Sequence, residues 1–179
     1  MKPWINAVGI AAAIVTHQAP LAQQAAAGGT LPPPAVALVD ATGKAFARPL
    51  TDTIVLIALG GDITAPASIR PIYDGDGRTA SGAATWQSGG SVLFTSSDCT
   101  TGASVYSLPT AGVRAAAQVR TAAGIVLYLG ATGVTTTVAV RSILYDTGCT
   151  PVTIQQNGLL PVVVTVNLST TYPPPLAFQ

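Results

Sequence analysis

The sequence predicts an all-β domain, an antiparallel β-sandwich or barrel-like fold with one disulfide, following an N-terminal signal peptide. Three observations support this prediction. All seven acidic residues are Asp, none is Glu, and Lys occurs only twice, so residues that favour exposed helices are scarce. Thr, Val and Gly are abundant, as in strands joined by turns. Short apolar runs recur between Gly, Pro and polar residues, as in sandwiches and barrels.

Residues 1–27 have the order of a signal peptide. Lys2 precedes an apolar stretch, and small residues end the segment. The apolar stretch is about a dozen residues, shorter than the roughly 20 that a membrane-spanning helix needs. The alternative is an N-terminal helix packed on the domain. Cleavage of the segment predicts a secreted or cell-surface protein, or a periplasmic one, with no stable membrane insertion.

The rest of the chain predicts one β-domain between two proline-rich segments. Residues 28–34 form a stiff lead-in, residues 35–171 the β-domain, and residues 172–179 a C-terminal tail whose prolines cannot join a ladder. Apolar runs predict strands at 35–40, 44–48, 53–59, 68–73, 91–95, 104–107, 125–129, 134–145, 152–154 and 162–167. Residues 79–90 predict a long loop, whereas residues 111–123 are compatible with a strand or a helix.

The low charge of the chain limits its partners. Only 8% of the residues are charged, and the net charge is +1. The arginines are scattered and form no concentrated basic stretch, so nucleic acid is not an expected partner. A nearly neutral surface provides little repulsion between copies. Self-association is therefore one expected interaction, and a cell-surface glycan is the other candidate partner.

Cys99 and Cys149 are the only cysteines. In an exported chain, two cysteines in polar surroundings predict a structural disulfide rather than reactive thiols. A metal site needs more ligands, and the only histidine, His17, lies in the predicted signal peptide. The stretch from Asp74 to Gly77 begins like a calcium loop, but an arginine follows it and no Glu completes the cage. No metal and no cofactor are expected.

Asp146 begins an Asp-Thr-Gly triplet that resembles the active-site triplet of aspartic proteases, in which two carboxylates activate water. A second triplet is missing, so a homodimer would have to supply it. A turn that starts at Asp146 is the simpler interpretation. No histidine remains after export to build a Ser-His-Asp relay. We therefore expect a non-enzymatic protein, with an aspartic hydrolase that uses Asp146 as a remote alternative.

Aromatic side chains are the candidates for a binding role. Trp86, Tyr73 and Tyr106 are the expected ligand-binding residues, because exposed rings form stacking platforms. The predicted export of the chain, its nearly neutral charge and the lack of a recognisable set of catalytic residues have one interpretation in common. They indicate a non-enzymatic extracellular structural or adhesive module that can self-associate. A carbohydrate-binding module is the alternative.

Two stretches resemble uncharacterised exported bacterial β-domains, some of which follow collagen-like or tail-fibre-like stalks. Residues 39–44, VDATGK, are similar to the opening hairpin of that family, and residues 93–100, LFTSSDCT, to an aromatic strand that leads to the first cysteine. Cys149 stands where a later cysteine would close the disulfide. Residues 100–102, TTG, depart from the family pattern after the first cysteine. The resemblance implies a surface or extracellular module without known catalysis.

Overall fold

The computed structural model of the protein describes residues 36–60, 63–77, 80–107 and 112–179. The predicted signal peptide, residues 1–27, lies outside these ranges, and so does the predicted lead-in, residues 28–34. The described residues form antiparallel strands and one short helix. This arrangement confirms the predicted all-β, barrel-like fold.

The elements follow one another in a simple order along the chain. They are β1 (Leu38–Val39), β2 (Ala45–Pro49), β3 (Ile54–Ala58), β4 (Thr64–Tyr73), β5 (Ala80–Trp86), β6 (Val92–Phe94), β7 (Ser104–Tyr106), β8 (Ala116–Thr121), β9 (Gly124–Gly130), β10 (Thr136–Tyr145), β11 (Gly148–Asn167), α1 (Leu168–Thr171) and β12 (Leu176–Phe178).

Six of these strands close into a barrel in the order β1-β12-β5-β4-β3-β2. Strands β2 to β5 pair with their neighbours in sequence, and β12 completes the ring between β5 and β1. Along β4, alternate residues Ala65, Ala67 and Ile69 are buried, as the two-residue period of a strand requires. Alanines suit this position because a barrel of few strands has a narrow interior.

The second sheet has the order β10-β6-β7-β11-β9-β8. Strand β11 is 20 residues long and pairs in succession with β10, β7 and β9. Because β10 also pairs with β6, and β6 with β7, the strands β10, β6, β7 and β11 form a closed circuit of pairings. One long strand therefore connects every part of this sheet.

Strand β9 connects the two sheets through alternate side chains. Ile125, Leu127 and Leu129 are buried in the same apolar cluster as the barrel residues. Tyr128, on the other face of the strand, packs against the second cluster around Phe94. The barrel and the second sheet consequently share one continuous apolar contact.

The C-terminal segment belongs to the domain, so the predicted tail at residues 172–179 is corrected. Tyr172 is 6% exposed, and its carbonyl oxygen accepts a hydrogen bond from the Trp86 indole N–H at 2.9 Å. Leu176 is completely buried and pairs with Ala84 of β5. The three prolines stay out of the ladder, as predicted, but they restrict only their own positions. The strand that closes the barrel begins directly after them.

Two other local expectations are now decided. Residues 80–86 form strand β5 within the predicted loop 79–90, because they pair with β4 on one side and with β12 on the other. Residues 116–121 form strand β8, which resolves the choice between strand and helix for residues 111–123. Pairing with β9 and burial of Val119 outweigh the helical preference of the local alanines.

The turn between β1 and β2 is organised by Asp40. Its Oδ1 accepts hydrogen bonds from the Thr42 hydroxyl at 2.6 Å, the Thr42 N–H at 2.8 Å and the Lys44 N–H at 3.1 Å. Gly43 takes the left-handed conformation that the turn requires, with φ of 81°. The hydrogen bond from the Thr42 hydroxyl is the main cause that lowers the pKa of Asp40.

The variant Leu176→Ala tests the role of β12. We expect a loss of about 2–5 kcal/mol in the free energy of unfolding, because the substitution leaves a cavity at the closure of the barrel. Urea unfolding followed by circular dichroism measures it. The control Leu50→Ala makes the same chemical change at a side chain that is 62% exposed. Equal losses in the two variants would show that β12 is dispensable.

The variant Asp40→Asn tests the turn through its pH dependence. A lowered pKa in the folded state means that ionised Asp40 stabilises the fold above the unfolded pKa of about 3.9. This contribution is lost as the pH falls through the folded pKa. Between pH 7 and pH 3, Asp40→Asn should therefore lose less stability than the wild type, as measured by chemical denaturation. A wild-type loss of stability in Asp40→Asn over this range would contradict the role of the carboxylate.

Candidate functional site

A cleft of about 730 Å³ opens where the barrel meets the second sheet. The barrel contributes residues at the start of β3 and in the middle of β4. The opposite wall comes from β8 and from the segment that follows β5, and Tyr106 of β7 also lines the space. The lining residues are Thr53, Ile54, Pro66, Ala67, Ser68, Gln87, Ser88, Gly89, Gly90, Ser91, Tyr106, Ala116, Ala117, Gln118 and Leu127.

Gln118 holds the two walls of the cleft together. Its Oε1 accepts from the Ser68 N–H at 2.8 Å, and its Nε2 donates to the Ser68 carbonyl oxygen at 3.0 Å. The same Nε2 also donates to the carbonyl oxygen of Gln87. The side chain is only 6% exposed, so these bonds satisfy an amide that burial would otherwise penalise. Gln118 therefore fixes the distance between β8 and β4.

Gly90 allows the segment after β5 to approach β8 closely. The N–H groups of Gly89 and Gly90 point to the Gln118 carbonyl oxygen, at 3.4 Å and 2.9 Å. A Cβ atom at Gly90 would lie 2.8 Å from the Gln118 backbone nitrogen and 2.9 Å from its carbonyl oxygen. Such contacts are too short for any side chain, so this wall of the cleft requires glycine.

The described lining of the cleft is polar but uncharged. None of the lining residues that the structure describes carries a charged side chain. Within the part of the chain that the structure describes, the hydroxyls of Ser88, Ser91 and Tyr106 make no hydrogen bond, although each lies on the lining. Tyr106 is 45% exposed, so part of its ring is accessible. The cleft thus offers neutral donors, neutral acceptors and an aromatic surface.

The aromatic residues predicted to bind a ligand lie in three different places. Trp86 is 3% exposed in the barrel, with its ring centroid 5.7 Å from that of Phe46, so its assignment as a stacking platform is wrong. It was expected in a loop, but it is the last residue of the barrel strand β5 and pairs with Ile69 of β4. Tyr73 is 52% exposed at the end of β4 and does not line the cleft. Of the three, Tyr106 alone lines the cleft.

Sequence reasoning missed the other residues that shape the cleft. Residues 87–90 fall in the predicted loop 79–90, and Ser91 begins the predicted strand 91–95; neither prediction indicates a binding role. Gln118 lies in the stretch 111–123, which is compatible with a strand or a helix. Its distance from Ser68, 50 residues along the chain, leaves no local signal of their contact.

Asp146 lies in the two-residue turn that joins β10 to β11. Its Oδ1 accepts a hydrogen bond from the Arg120 N–H at 2.8 Å, so the carboxylate connects this turn to β8. At the calcium-like stretch, the Gly77 N–H donates to the Asp74 carbonyl oxygen at 2.8 Å, which forms a turn. Among the described residues, no group of three or more acidic, His or Cys side chains is placed to hold a metal ion.

The predicted disulfide between Cys99 and Cys149 is confirmed. It joins the loop after β6 to the start of β11, with a Cα–Cα distance of 5.9 Å. Ser142 of β10 is hydrogen-bonded to this loop. Its buried hydroxyl accepts from the Cys99 N–H at 3.0 Å and donates to the Ser96 carbonyl oxygen at 2.6 Å. A disulfide of this kind is consistent with an extracellular or periplasmic location.

The loop that carries Cys99 is also closed by its own side chains. The Asp98 carboxylate accepts from the Thr100 hydroxyl at 2.7 Å, and this bond is the main cause that lowers the pKa of Asp98. The Ser96 hydroxyl accepts from the N–H groups of Thr100 and Thr101, both at 3.1 Å. The disulfide therefore connects β11 to an ordered loop.

No protein-family model, curated protein or solved structure matches this chain. A function for this protein is therefore inferred from the geometry of the cleft and from the exposed surfaces of the sheets. Over the described ranges, no helix combines the length and apolar character needed to cross a membrane.

Replacing both Cys99 and Cys149 with Ala tests the disulfide. We expect a loss of as much as roughly 4 kcal/mol, because the bond closes a loop of 50 residues and limits the unfolded chain. For a domain of this size the melting temperature would fall on the order of 10 °C. Thermal and urea unfolding measure both quantities. Ser97→Ala, at an exposed position of the same loop, should leave them unchanged, and an equally stable double variant would contradict a bracing role.

Proposed function

We propose that this protein is a non-enzymatic extracellular structural or adhesive module that self-associates through an open edge of β11. The single observation that carries this proposal is an exposed, uncharged strand edge. The disulfide supports an extracellular setting. The signal-peptide order of residues 1–27 and the resemblance to exported bacterial β-domains remain sequence-based predictions in its favour.

The open edge lies in the last third of β11. Residues Val162–Asn167 pair with β9 along one edge, and the pairing with β7 on the other edge ends at Pro161. Beyond Val162, whose N–H donates to Ala103, no strand of the described chain pairs with that second edge. Val163 is 54% exposed and Val164 is 37% exposed. Backbone groups on this edge can therefore pair with another strand.

This edge carries no charged residue, and charged residues, above all Lys, are the common protection of native edges. Pro161 precedes it, and the register with β9 shifts between Val162 and Val164, so the segment from Val164 to Asn167 is the regular part of the edge. From residue 147 to residue 179 the chain has no charged side chain, and residues 162–166 read VVVTV. Two copies laid side by side would therefore meet without charge repulsion. β-branched residues also favour the extended conformation that such pairing needs.

Two identical edges form a closed pair when they run antiparallel. A two-fold axis through such a pair places each copy of Val164 near the same segment of the partner. Two-fold symmetry is the commonest symmetry of soluble homo-oligomers. The interaction is self-complementary because the same donors and acceptors are presented by both copies. Continued association through other exposed surfaces would extend the dimer into an adhesive assembly.

The variant Val163→Lys tests self-association. A lysine on the open edge should oppose pairing between copies. We therefore expect the dissociation constant of the dimer to rise at least about tenfold, which corresponds to roughly 1.4 kcal/mol of lost association free energy. Sedimentation velocity over a range of protein concentrations measures it, with circular dichroism to confirm folding.

The matched control is Val134→Lys, which places the same charge at a residue that is 90% exposed and outside β11. This control should associate like the wild type. A wild-type protein that stays monomeric at every concentration would contradict the proposal, and so would equal weakening by both substitutions.

A further inference from the structure

The cleft between the barrel and the second sheet is separate from the open edge of β11, since no residue of β11 lines it. We propose that this cleft binds a neutral saccharide, with the Tyr106 ring as the stacking surface and the hydroxyls of Ser88 and Ser91 as polar contacts. This goes beyond the assembly function, because it assigns a ligand class to a different surface.

The size of the cleft suits a small ligand. Its volume of about 730 Å³ lies within the range of roughly 300–1,000 Å³ that is typical of ligand sites. It lies between the barrel and the second sheet, and ligand sites are typically concave spaces of this kind. The cleft is open to one side, so an oligosaccharide can extend beyond it.

The absence of charge among the described lining residues selects against ionic ligands. A phosphate, sulfate or carboxylate that entered the cleft would lose water without gaining an opposite charge. A neutral ligand does not have this penalty. The lining therefore favours an uncharged molecule over uronates, sulfated sugars and nucleotides.

The available polar groups correspond to the hydroxyls of a sugar. The hydroxyls of Ser88 and Ser91 can each donate one hydrogen bond and accept two, the Tyr106 hydroxyl can donate and accept, and sugar hydroxyls can do the same. The exposed part of the Tyr106 ring supplies an apolar surface for the C–H face of a pyranose ring. Aromatic stacking and neutral hydrogen bonds therefore meet in one place.

The walls of the cleft are rigid before any ligand arrives. Gln118 is bonded to Ser68 and Gln87 across the junction, and Gly89 and Gly90 are held against the Gln118 carbonyl oxygen. Binding to a preorganised site loses less conformational freedom. The serines adjacent to this glycine pair are consequently held near their working positions.

The experiment uses the full chain and two sets of probes. Neutral tetrasaccharides of glucose, mannose and N-acetylglucosamine form one set, and oligouronates and sulfated oligosaccharides form the other. Isothermal titration calorimetry should detect binding of at least one neutral probe and of no anionic probe. Tyr106→Ala should weaken that binding by roughly tenfold, whereas Tyr106→Phe, which keeps the ring, should weaken it less.

The matched control is Tyr73→Ala, since Tyr73 is as exposed as Tyr106 but lies outside the cleft. This control and Val163→Lys should bind as the wild type does, which separates the cleft from self-association. Failure of every neutral probe to bind would overturn the proposal. Equal weakening by Tyr106→Ala and Tyr73→Ala would also overturn it, as would binding of the anionic probes in place of the neutral ones.

Discussion

The pairing of β11 with three strands in succession is the interaction on which the rest of the structure depends. Its first part forms the hairpin with β10, its middle pairs with β7, and its last part pairs with β9, which packs into the barrel. The disulfide at Cys149 anchors its beginning. From its end the chain passes through α1 and Tyr172 to β12, so both sheets are completed by one C-terminal segment.

The lack of charge in this segment has two opposite consequences. Side chains such as Leu159, Leu168 and Leu176 are completely buried, and apolar residues there stabilise the two sheets at no cost of charge burial. Where the same segment reaches the surface at Val163, no charge protects the edge. The same uncharged composition that stabilises the fold therefore leaves the edge at Val163 exposed. The described lining of the cleft between the barrel and the second sheet is uncharged as well.

Several features could be read from the sequence because they depend on neighbouring residues. The turn at 41–43 needs only an Asp that accepts nearby N–H groups and a Gly with positive φ. The scarcity of helix-favouring residues indicated the all-β class. The prediction that the domain ends at residue 171 was wrong. Three prolines precede the strand β12, and its partners β1 and β5 lie far away in the chain, so no local pattern indicated it. Trp86 was misplaced for the same reason, since its burial depends on Tyr172.

The sequence by itself determined the fold class, the pairing of the two cysteines and the neutrality of the surface. Composition and cysteine number are properties of the whole chain and need no knowledge of contacts. The tertiary structure alone decided which aromatic ring is exposed, where the cleft lies and which strand edge is open. These depend on pairs such as Gln118 and Ser68, 50 residues apart, whose contact arises only when two sheets pack together.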